Sequence, residues 1–309
     1  MTSGAFTFLT VALSRGARRM VVSSGTYNVG GLSRPTGVTL FDGQTGAVLH
    51  ALAPSPKAYY LAALSPDGQR AAAIGPGIDD STQYNTSWRM PANGEPVYAL
   101  RVWDTSNGQQ LYEAKCSSSL RPPLFSPDGK SIVTFESDVA PRYFTTLMRD
   151  SKDGHVLARL EHGGWDAVFS RDGRTLYNGY FSDQPGGAIL FPTPSVILPR
   201  IRTEAEGRIT RVAAYSASTG RLLRLLADVP ETSPLQTPEW LIDVSPNGRL
   251  LLTLGGIFDT RTGKKLWKVP AVTRGYLGFF SADSRRLYTS NDHGDVVEWF
   301  VAAGTPPVL

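Results

Sequence analysis

The chain is short of the residues that most often carry chemistry. One cysteine, Cys116, stands in 309 residues, which excludes an internal disulfide framework and any cysteine-based zinc site and agrees with a reducing compartment. Only four histidines occur, His50, His155, His162 and His293, and no two are spaced as HxH or HxxxH metal-ligand pairs. Long apolar runs are missing. The stretch FTFLTVAL near the start spans eight residues, too short to cross a bilayer, and its arginines follow it where a signal peptide would place them first. The expectation is a cytoplasmic protein without membrane contact. Runs of like charge are also missing: 31 basic residues against 27 acidic ones leave a net charge of +4. The basic residues stand singly or in pairs such as Arg18-Arg19, Lys264-Lys265 and Arg285-Arg286, which reads as solvated surface without a strong nucleic-acid signal. There is no GxSxG elbow, no P-loop and no GxGxxG opening a helix. The Asp-rich segments DTSNG and DSKDG lack the twelve-residue ligand set of a calcium loop and read as hairpin turns. These absences lead to no expected catalytic residue, cofactor or metal.

What the chain has in quantity is glycine (31) and proline (22), the residues of turns rather than of long helices. They fall in a pattern. LSPDGQRAAAIG, LFSPDGKSIVTF, FSRDGRTLYNGY, VSPNGRLLLTLG and FSADSRRLYTSN are versions of one element, and LSRGARRMVVSSG is a worn copy. Ser14, Ser65, Ser126, Ser170, Ser245 and Ser281 mark the six occurrences. Proline presets the first turn position, Asp or Asn suits the second, and glycine takes the left-handed conformation closing a hairpin. Repeats one and six carry Ala17 and Ser284 in place of that glycine, so their turns are expected to be looser or of another type. A second hairpin follows each copy, ending its turn at Gly46, Gly108, Gly154, Gly220, Gly263 or Gly304. Each repeat is therefore four strands, a to d, in a meander.

Four-stranded units repeated six times point to an all-β protein, a β-propeller of six four-stranded blades. The expected blades are approximately 6–54, 58–116, 120–162, 164–230, 240–270 and 274–309, all in one domain. A seventh blade would require the insertion in repeat four to form a sheet of its own. The chain resembles the WD-repeat and related SPDG-repeat propellers through Trp103-Asp104 and the weaker counterparts Phe41-Asp42, Arg149-Asp150 and Phe258-Asp259. The resemblance implies a structural role for His162, in the connector before strand a of repeat four. It also implies that such an array can be joined to an effector domain in a longer chain. No swapped strand that would close the ring is visible: TPPVL reads as strand d of the sixth repeat.

Variation in length is confined to one place. From each turn glycine to the next repeat's serine the separation is 16 to 25 residues, whereas from serine to glycine within a repeat it runs from 18 to 50. The extra residues sit between strands b and c, at Ser24–Gly37, Gly75–Pro96 and Tyr180–Arg208. In a meander the a–b and c–d turns share one face, and b–c loops emerge on the other, where binding is expected. Tyr84, Trp88 and Arg89 in the repeat-two insertion have the composition of interface anchors. Arg34, Arg200 and Arg202 would steer a partner, and His293 is the histidine placed to meet a ligand. The expected function is a non-catalytic scaffold for a protein or peptide. Two alternatives stay open: a propeller enzyme of the lactonase or lyase type using His293, Asp292 and Asp295, and a structural module of a larger assembly.

Overall fold

The structure is a computed structural model. It describes residues 5–28, 34–53, 61–76, 98–116, 121–137, 144–164, 166–181, 209–230, 241–253, 256–267, 278–290 and 295–301. The first blade holds β1 (Ala5–Leu13), β2 (Arg19–Asn28), β3 (Arg34–Asp42) and β4 (Val48–Ala53), and the second β5 (Leu61–Leu64), β6 (Arg70–Pro76), β7 (Tyr98–Asp104) and β8 (Gln110–Cys116). The third holds β9 (Leu124–Phe125), β10 (Ser131–Ser137), β11 (Phe144–Asp150) and β12 (Val156–Arg159). The fourth is β13 (Asp166–Phe169), β14 (Thr175–Phe181), β15 (Ile209–Ser216) and β16 (Leu222–Pro230). The fifth is β17 (Leu241–Val244), β18 (Leu250–Thr253), β19 (Gly256–Asp259) and β20 (Lys265–Trp267). The sixth shows β21 (Gly278–Phe280), β22 (Arg286–Ser290) and β23 (Val296–Phe300).

Every sheet is an antiparallel meander in chain order, five of four strands and the last of three. The fourth strand expected in the sixth blade falls in residues 302–309, outside the described residues. The fold is the all-β, six-bladed β-propeller that the repeats predict. By internal contacts the chain divides into two compact units, Met1–Ala140 with Thr146–Arg159, and Pro141–Thr145 with Leu160–Leu309.

Within each unit, successive blades are joined by apolar layers. In the first, Val21, Leu40 and Leu52 pack against Ala71, Ala73 and Trp103 of the second blade. That blade's other face offers Ile74, Leu100 and Val102 to Phe125 and Ile132. In the second unit, Tyr177, Val212 and Leu226 meet Val244, Leu251 and Phe258. Leu252 and Ile257 then meet Phe280, Leu287 and Trp299. Side chains alternate across a strand, so a blade covered on both faces needs apolar residues at successive positions. That explains why strand b reads AAAI in the second blade and LLLT in the fifth.

The serine element builds each a–b turn. Ser65 Oγ donates to Asp67 Oδ1 at 2.6 Å while accepting the amide of Arg70 at 2.9 Å. The same pair of bonds recurs at Ser126, Ser170, Ser245 and Ser281. The expectation for the two atypical turns is half right. In repeat one, Gly16 takes φ 76°, ψ 13°, the third residue of a type II turn, so this hairpin is indeed of another type. In repeat six the turn is unchanged: Ser284 adopts φ 61° and donates its amide to the Ser281 carbonyl at 2.9 Å, as the turn glycines do. What supports the strained serine is its hydroxyl, which accepts the amide of Asn247 from the neighbouring blade at 3.0 Å.

The c–d turn is tied to the a–b turn of its own blade. The amide of Thr105 donates to the carbonyl of Gln69, that of Ser151 to Lys130, Ala217 to Arg174, and Thr260 to Arg249. Hydroxyls add to this, as Thr105, Ser151 and Thr260 donate to the carbonyls of Gly68, Gly129 and Gly248. The c–d turns also press on the preceding blade. A Cβ at Gly263 would strike the Leu226 carbonyl, whereas one at Gly248 would meet nothing, although the two share φ of 70° and 71°. We expect Gly248→Ala to lower stability by about 1 kcal/mol, the cost of positive φ alone. Gly263→Ala should cost at least about 2 kcal/mol more through overpacking. Chemical denaturation of the two variants measures the difference.

Candidate functional site

The turn-to-turn bonds place both hairpin turns at one edge of each blade, so b–c segments leave from the other edge. Residues 77–97 leave the second blade there, between Pro76 of β6 and Tyr98 of β7. Residues 182–208 leave the fourth blade in the same way, between Phe181 of β14 and Ile209 of β15. Tyr84, Trp88, Arg89, Arg200, Arg202 and His293 all lie outside the described residues. Arg34 opens β3, where the backbone alone is described, paired with Thr26. Asp292 is outside the described residues, and Asp295 is exposed just before β23. The structure therefore positions the roots of the insertions, and the expected anchors other than Arg34 lie outside the described residues.

Several of the described polar side chains serve the scaffold. His162 lies in the connector between β12 and β13. Its amide donates to the Tyr215 hydroxyl at 3.1 Å, its carbonyl accepts from Asn178 at 2.9 Å, and its ring stacks on Tyr180 at 4.5 Å. This is the structural role expected of it. His155 and Asp153 pair at 2.6 Å on the surface, in the turn before β12. The aspartates of the c–d turns accept from their own turns: Asp104 from Ser106, and Asp259 from Arg261 and Thr262. Hairpin geometry accounts for them, as expected, and among the described residues no group of three or more His, Cys, Asp or Glu could hold a metal.

Two features escaped the sequence reading. Asp243, on the innermost strand of the fifth blade, accepts the amides of Phe280 and Val244, both at 2.8 Å, and so joins the a strands of adjacent blades. Burial raises its pKa, opposed by these two amides. The second feature is Arg149, which stands where the second blade has Trp103. Its Nη2 meets Glu136 Oε1 at 2.6 Å, Nη1 donates to the Gly154 carbonyl at 3.0 Å, and Nη2 also reaches the Lys115 carbonyl of the preceding blade at 3.3 Å. Both side chains are nearly closed to solvent, at 7% and 11% exposure. A signal existed: an arginine occupying an otherwise aromatic repeat position calls for a buried acid nearby.

No known protein-family model and no curated protein sequence matches the chain. Among solved structures it is similar to the hydrazine synthase of Kuenenia stuttgartiensis, with a TM-score of 0.57 and 15% identity. The match covers 94% of this chain and 95% of that one. At this identity the likeness bears on the fold alone.

Two measurements test the scaffold chemistry. Glu136→Ala strands a buried guanidinium and should cost about 3 kcal/mol, whereas Glu136→Leu with Arg149→Met removes both charges and should cost less. Asp128 and Asp172 are held below the ordinary 3.8, each chiefly by the hydroxyl of its turn serine. Because the folded-state values are lowered, their contribution is complete above that ordinary value and is lost as pH falls through the lowered one. In Ser126→Ala the midpoint of the Asp128 titration, followed by NMR, should move upward, and stability should fall by about 1 kcal/mol.

Proposed function

We propose that this protein is a non-catalytic recognition scaffold that binds a protein or peptide through its b–c segments. One observation carries the reading. The a–b and c–d turns of the second blade are bonded to each other, Thr105 to Gln69 and Gly68, so the 77–97 segment must leave from the opposite edge. That segment holds Tyr84, Trp88 and Arg89, residue types that bury large area with few rotatable bonds. Arg34 opens β3 at the root of the first blade's b–c segment, Arg200 and Arg202 belong to that of the fourth blade, and the three would add electrostatic steering. A repeated frame supporting segments of very different length suits recognition, since the segments can change without disturbing the blades. Attachment to an effector domain in a longer chain is compatible with this role.

The test is a pull-down from a lysate of the native host with the intact chain and with Trp88→Ala/Arg89→Ala. Partner capture should fall at least about tenfold, as for loss of interface anchors, with the melting temperature unchanged. Unaltered capture, or a variant that no longer folds, counts against the reading.

A further inference from the structure

The turn edge of the second unit is not the plain surface that the repeat pattern suggests. Its a–b turns present Arg171, Arg174, Arg249 and Arg285, and its c–d turns present Arg221, Arg261 and Lys264, all exposed. Against these seven cations stand three carboxylates, Asp172, Asp259 and Asp283. Each carboxylate is committed to its own turn, Asp172 to Ser170 and the Arg174 amide, Asp283 to Ser281 and the Arg285 amide, and Asp259 to Arg261 and Thr262. The corresponding turns of the first unit carry Arg15, Arg18, Lys130 and Lys152 among Asp42, Asp67, Asp104, Asp128, Asp150 and Asp153. The excess positive charge thus belongs to one edge of three consecutive blades.

That edge is also rigid. The amide of Ala217 donates to the Arg174 carbonyl, that of Thr260 to Arg249, and that of Val301 to Arg285, so each pair of turns is locked within its blade. Asn247 and Ser284 link the fifth and sixth blades, and Gly263 seats the fifth blade's turn against Leu226 of the fourth. The cations therefore project from fixed backbone, which lowers the ordering cost of binding.

We propose that the turn edge of blades four to six binds the phosphate backbone of double-stranded nucleic acid without reading its sequence. Three properties select this partner. Six of the seven cations are arginines, whose planar fork matches phosphate oxygens. The described turn tips offer Pro246 and Ala282 as their apolar side chains, too little for the apolar centre of a protein interface or for insertion into a bilayer. One exposed aromatic ring stands at this edge, Phe300 in the place that Asp259 holds in the fifth blade, and the Arg286 guanidinium lies 5.5 Å from its centre, whereas a single-strand groove requires a row of such rings for successive bases. Charge on a firm surface is what duplex backbone contact demands.

The experiment uses fluorescence anisotropy with the whole chain and a short DNA duplex of mixed sequence. Affinity should fall about 50-fold when salt is raised fourfold, as expected for release of counterions from roughly three phosphates. Arg174→Glu/Arg249→Glu/Arg285→Glu should weaken binding at least about tenfold, with thermal unfolding confirming the fold. The matching first-unit change, Arg15→Glu/Arg18→Glu/Lys130→Glu, should have a much smaller effect. Equal losses in the two variants, no duplex binding at low salt, or preferential binding to vesicles containing phosphatidylserine would each overturn the assignment.

Discussion

Everything regular in this molecule depends on the serine hydroxyl at the end of each a strand. In blades two to six it donates to the turn Asp or Asn, and in all six it accepts the amide five residues on, satisfying groups that a tight hairpin would otherwise leave to water. The turn so fixed leaves a carbonyl at its tip for the c–d turn to bind. One side chain therefore sets the geometry of four strands. The apolar layers between blades hold the sheets together, but they do not determine which edge of a blade carries its turns.

This explains the division of labour along each repeat. Strand b of a central blade is apolar on both faces because it is covered on both, and it tolerates no insertion. Near the c–d turn the strand register slips at equivalent places, between Val102 and Trp103, Met148 and Arg149, and Ile257 and Phe258. Such bulges increase local twist and break the straight ladder near an open edge strand. Buried charge enters where a repeat departs from its pattern, as when Arg149 takes an aromatic position and recruits Glu136.

Much of the fold was legible in the sequence because its determinants are local. The serine-to-glycine spacing located the turns and hence the strands. What was not legible arises from contacts between distant residues. Ser284 keeps a left-handed turn through the Asn247 amide, 37 positions away. Asp243 looks like one polar residue in an apolar strand until the neighbouring blade supplies the Phe280 amide. The arginines of the second unit read as scattered surface charges because the repeat length separates them, and the fold gathers them at one edge. Of the expected binding residues, the described structure fixes the points where the insertions begin and end. Tyr84, Trp88 and Arg89 remain a reading of composition.

The account's central claim is that the two turns of each blade form one locked edge. Amide hydrogen exchange followed by NMR tests it most directly. The amides of Thr105, Ser151, Ala217 and Thr260, which donate from the c–d turn to the a–b turn, should exchange nearly as slowly as those of the central strands. Exchange at the rate of ordinary exposed turns would mean that the hairpins open independently, and the separation of a fixed turn edge from a recognition edge would fail.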